Sequence, residues 1–91
     1  MKEHEIFWVE VQKIQDYVVN VFLLKASKYD DMKELLNDVT YETIYGLLEL
    51  LDGYKNSNLR GEIINKLTGN NIGSGEDFHN YCEEYLKTSE I

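Results

Sequence analysis

Proline is absent from all 91 residues, so no rigid backbone break is written into the chain. Helix ends must come instead from glycine, from capping side chains and from polar clusters. Cysteine occurs once, as Cys82, which excludes an internal disulfide. The N-terminus carries no basic stretch leading into an apolar run and a small-residue cleavage site, so a cytoplasmic address is expected. Apolar runs are short. The longest, residues 17–24, is interrupted by Asn20 and falls far below the roughly 20 residues of a membrane span, so no membrane partner is expected. Basic residues are scarce, nine against seventeen acidic ones, giving a formal charge of -8. Such a surface repels nucleic-acid phosphates, and direct DNA or RNA binding is not expected.

What is present is an ordinary globular mixture, 43% hydrophobic and 29% charged, enough for a single helical domain over residues 1–91. Apolar residues recur at helical spacing and predict an all-α fold, a compact bundle of four to five helices over residues 5–26, 30–37, 41–52, 59–67 and 75–87. In the first, Phe7, Val11, Ile14, Val18 and Val21 share a face. Its second half, residues 17–22, is rich in β-branched and aromatic residues, but no second alternating run offers it a ladder, so the helical reading stands. Asp30 or Asp31 can cap the second helix.

The third helix carries the fullest set of local signals. Thr40 can accept amide protons at its start, Val39 can pack on Ile44 as a staple, and Gly53 suits a left-handed exit with Tyr54 folding back on Leu48. Ile44, Leu47, Leu48 and Leu51 form its expected core stripe. Leu59, Ile63, Ile64 and Leu67 mark the fourth helix, weakened at Gly61 and closed by Gly69. Ser74, with Asp77 three residues on, resembles a capping box opening the fifth.

No catalytic set is complete. The loop between Gly69 and Gly75 precedes a helix start, as phosphate-binding loops do, but it lacks the lysine such loops use, and Glu76 and Asp77 would repel an anion. His79 and Cys82 are three apart and share a helix face, which makes half of a metal site or a thiol with a base; zinc needs three or four ligands, and the other histidine, His4, lies far away in sequence. No metal and no cofactor is therefore expected, and no enzymatic activity. A small enzyme or metal protein built on His79 and Cys82 remains the second alternative. Paired carboxylates such as Glu83-Glu84 and Asp30-Asp31 read as solvated acidic faces.

Seven tyrosines are the more unusual endowment. Tyr41 and Tyr45, like Tyr81 and Tyr85, stand four apart on helices and can flank an acidic groove. Tyrosine supplies apolar area with a polar tip, which suits core edges and protein interfaces alike. The candidate partner surface is accordingly Tyr41, Glu42, Tyr45, Glu49, Asp52, Tyr54, Tyr81, Glu84 and Tyr85. In size, acidity and helix content the chain is similar to immunity proteins that neutralise bacterial toxins and to phage or mobile-element proteins that block defence nucleases. That resemblance implies a bacterial or phage protein-binding module, an inhibitor, immunity or anti-defence type protein that docks on a basic partner. The alternative is a structural or regulatory homo-oligomeric domain without catalysis, a homodimer sharing its first helix.

Overall fold

The computed structural model describes residues 2–89. Helix α1 spans Glu3–Lys25 and carries residues 17–22 within it, as a segment without a sheet to join must. A 3-10 turn at Ala26–Lys28 and the extended residue Tyr29 reverse the chain. Asp31 then caps helix α2, Met32–Leu51, by accepting the amide proton of Lys33 at 2.9 Å. The two long helices form an antiparallel pair.

The expected break between residues 37 and 41 does not exist. No glycine or proline stops the helix there, and Thr40, expected as a cap, turns its hydroxyl back to the carbonyl of Leu36 at 2.8 Å, the usual resolution for threonine inside a helix. Asp38, between the two expected helices, is buried and accepts from Tyr29, Thr88 and Ser89.

Ile14, Val18 and Phe22 of α1 meet Leu50 of α2 at the centre, flanked by Phe7, Val11, Val21, Tyr29, Leu35, Val39 and Leu59. Gly46 lets the helices approach: a β-carbon there would lie 2.9 Å from Ile14 Cγ2, closer than packed carbons tolerate. The buried face of α2 is therefore rotated from the expected stripe. Leu50 is 1% exposed, whereas Ile44 and Leu47 are 39% and 37% exposed and Leu48 and Leu51 are half-buried. A leucine-rich turn is apolar on all sides, and the glycine that marks the true contact carries no hydrophobic signal.

At the end of α2, Gly53 adopts φ +90°, its amide bonds to Leu50 O at 3.2 Å and that of Tyr54 to Glu49 O at 2.9 Å, the paired closure of a Schellman cap. Beyond it the bundle expectation fails. Residues 59–67 are not helical: Gly61 bonds through its amide to Leu51 O, and Ile64 pairs with Asn71 in an isolated antiparallel bridge. Asn56, Asn65 and Asn71 each accept an amide proton from two residues on, so asparagine-centred turns replace helical bonds. Leu67, expected in the core, is 96% exposed at the tip of this loop.

The expected helix over residues 75–87 is reduced to a 3-10 turn, Phe78–Tyr81, running into a one-turn helix α3, Cys82–Tyr85. It starts late because Asp52, not Ser74, satisfies its first amides. The result is two long helices and one short one with no strand among the described residues, not a bundle of four to five. Its extents are 44 × 31 × 21 Å, only about two helix diameters thick. The radius of gyration is 15.0 Å. A well-rounded domain of this length has roughly 12 Å.

Candidate functional site

Two carboxylates at opposite ends of one side of α2 hold the C-terminal segment. Asp52 is 7% exposed; its Oδ1 accepts the amide proton of Phe78 and its Oδ2 that of His79, both at 2.9 Å, and Oδ2 also lies 2.7 Å from His79 Nδ1. Burial pushes this carboxyl up, but the bonds from His79 and Phe78 outweigh it and hold the pKa below the usual carboxylate range. Tyr45 and Tyr54 present edge-on to the His79 ring, with centroids 5.4 and 4.7 Å away. Tyr54 also donates to Asp77, which raises its phenol pKa.

At the other end, Asp38 is 1% exposed. Its Oδ2 accepts from Tyr29 at 2.6 Å and from the Ser89 hydroxyl, while Oδ1 accepts from the Thr88 hydroxyl at 2.9 Å and the Ser89 amide at 2.7 Å. Burial raises this group too, and four accepted bonds bring it down from 3.8 to about 2.

The His79–Asp52 pair has the geometry of a base and its orienting acid, but the neighbouring thiol is not readied as a nucleophile. Cys82 is buried, and burial, with Asp52 and Glu49 nearby, pushes its thiol up and keeps it protonated. Among the described residues no group of three or more histidine, cysteine, aspartate or glutamate side chains is arranged to hold a metal.

Between α1 and α2, on the side toward the C-terminal segment, lies an open cleft of about 460 Å³ lined by Glu10, Tyr17, Glu42, Tyr45 and Glu49, with Lys13 and Lys55 on its rim. Glu10 is 6% exposed and pairs with Lys13 at 3.0 Å; Glu49 pairs with Lys55 at 3.3 Å. A second hollow, sharing Glu42 and Tyr45, continues past Tyr41 to His79, Asn80 and Glu83. Tyr41 and Tyr45 stack along it, centroids 6.0 Å apart, and burial raises both phenols.

Of the expected partner residues, Glu42, Tyr45 and Glu49 thus come together at one cleft, and Tyr41 lines the hollow that adjoins it. Asp52 is drawn inward against His79, while Tyr54 stays 60% exposed with its hydroxyl on Asp77 and its ring against His79. Tyr81 bonds Ser74 at 2.8 Å and lies 6.3 Å from the ring of Tyr85, which is 74% exposed, as Glu84 is also exposed, on α3. Glu10 and Tyr17, seven residues apart on one face of α1, complete the cleft and went unnoticed; their spacing is the signal that reveals them. Asp38 carried no such signal, because its partners lie 9, 50 and 51 residues away. Compared with protein-family models, with curated proteins and with solved structures, the chain gives no match in any of the three. No helix among the described residues is long and apolar enough to cross a membrane.

Proposed function

We propose that this chain is a protein-binding module of inhibitor or immunity type, whose acidic, tyrosine-lined cleft between α1 and α2 receives basic side chains of a partner protein. The observation that carries the reading is the convergence of Glu10, Glu42 and Glu49 with Tyr17 and Tyr45 on that one cleft. Carboxylates supply the charge, and tyrosine faces suit the flat guanidinium of arginine. The chain's own Lys13 and Lys55 already occupy ammonium positions against Glu10 and Glu49. A partner's arginine would take their place, forming two parallel bonds to a carboxylate where lysine offers a point charge.

Calorimetry with an arginine-rich peptide as probe tests this. Binding should weaken steeply with salt and disappear in Glu42→Lys and Glu49→Lys, while Lys55→Ala should bind more tightly because it empties the rim. Affinity equal in all three variants, or indifferent to salt, would reject the cleft as the binding site.

A further inference from the structure

The groove on the opposite side of the helix pair has a different chemistry. Along α1, positions 8, 12, 15, 19 and 23 follow helical spacing and read Trp, Gln, Gln, Val, Leu; along α2, positions 36, 40, 43 and 47 read Leu, Thr, Thr, Leu. None is charged, in a chain that is 29% charged. The two threonines do not make this strip polar. Thr40 and Thr43 donate their hydroxyls to Leu36 O and Val39 O, each at 2.8 Å, so their only side-chain donors are spent inside α2. Trp8, Gln12, Gln15, Thr43 and Leu47 surround a hollow of about 380 Å³ floored by Val11 and Ile14 of the core.

Much of this strip stands in water. Trp8 is 63% exposed, Val19 55%, Leu23 75%, Leu36 55% and Leu47 37%. Together these side chains leave roughly 500 Å² of apolar surface uncovered, at the upper end of what a typical monomer shows. With the glutamines and threonines between them, the strip approaches the about 800 Å² that each partner buries in a standard interface.

We infer that a second copy of this chain covers the uncharged strip of Trp8, Gln12, Gln15 and Val19 on α1 and Thr43 and Leu47 on α2, so that four long helices form one bundle. Three observations select a second copy. Two chains of charge -8 repel each other wherever acidic faces meet, and this is the surface of the long helices where they do not. The strip holds no charge with which to choose a basic or acidic stranger. And the area of the strip approaches what each partner gives to a standard interface, while joining two such helix pairs gives the ordinary packing of a four-helix bundle. A two-fold axis lets the same strip serve both copies. The acidic cleft then remains open on each outer side.

Sedimentation equilibrium of the full chain over a wide concentration range, with the emission of Trp8, the sole tryptophan, as a local reporter, tests the pairing. Expected are a mass twice the 10.7 kDa of one chain, Trp8 emission that shifts to the red on dilution, and a dimer tightened by added salt, which screens the mutual repulsion. Leu47→Lys and Val19→Lys replace exposed residues and should keep the helical circular dichroism while weakening association about tenfold or more. A wild-type monomer at the highest soluble concentration would overturn the inference, as would a dimer that survives both substitutions with Trp8 emission unmoved by dilution. The opposite salt response separates this surface from the cleft, whose arginine-rich probe is released by salt.

Discussion

Replacing Asp38 by asparagine keeps the shape of the side chain and removes its charge. In the native structure both carboxylate oxygens accept, Oδ1 from Thr88 and the Ser89 amide, Oδ2 from Tyr29 and the Ser89 hydroxyl. The amide of Asp38→Asn retains one acceptor, and its NH2 group points at hydroxyls that must reorient. With the position 1% exposed, water cannot repair the loss. Weakening two charge-assisted bonds in a buried site costs about 2–4 kcal/mol.

The pH dependence gives a sharper test. Folding lowers the Asp38 pKa from 3.8 to about 2. A carboxyl depressed in this way stabilises the fold fully above its unfolded value and loses that contribution as pH falls through the folded one, which amounts to about 2.5 kcal/mol for this shift. Urea unfolding followed by circular dichroism should therefore show the wild type well above Asp38→Asn at pH 7, with the gap closing by about 2 kcal/mol between pH 5 and pH 2 and the remainder lost by about pH 1. Other carboxylates titrate in both proteins and cancel in the difference. Equal stabilities at pH 7, or a gap of the same size at pH 2, would refute the assignment of Asp38 as a charged clasp.

Leu50→Ala should lose about 2–5 kcal/mol of stability, since Leu50 fills the centre of the core. Leu47→Ala, measured as unfolding of the dilute chain, should lose less than half as much; the reverse order would place the buried face of α2 wrongly. Gly46→Val forces a branched β-carbon against Ile14 and should cost about 1–3 kcal/mol in thermal or urea unfolding, and an unchanged midpoint would show that the helices are not in close contact there. Cys82 should react with a thiol reagent at neutral pH far more slowly in the folded protein than in urea, because it is buried and its pKa is raised; equal rates would contradict both.

The parts of this fold that were legible in the sequence are those whose causes are local. Asp31 caps α2 through an amide two residues away, Gly53 closes it within one turn, and the face of α1 from Phe7 to Val21 repeats every three to four residues. Long-range causes left no such trace. Val39 and Thr40 resemble a staple and a cap and so imply a break, whereas the buried Asp38 beside them has no local explanation: Thr88 and Ser89, which donate to it, lie 50 and 51 residues on. Leu59 to Leu67 satisfied a helical period by composition, yet the asparagine turns at Asn65 and Asn71 and the pairing of Ile63 with Ile72 supplied better bonds. At the cleft and the hollow beside it, Tyr41, Glu42, Tyr45 and Glu49 are close along one helix and could be grouped from spacing; their counterparts Glu10 and Tyr17 required knowing how α1 and α2 meet.

The two aspartate anchors also order events during synthesis. Asp38 and Asp52 leave the ribosome well before their partners, since the donors to Asp52 follow 26 and 27 residues later and the last donors to Asp38 follow 50 and 51 later. A nascent chain that has already formed α1 and α2 still carries two carboxylates that cannot be sheltered without loss. Until residues 88 and 89 are made, the helix pair holds Asp38 without three of its four bonds and is less stable by that amount. Truncation after Lys87 should therefore lower the stability of the helix pair while leaving its apolar core in place.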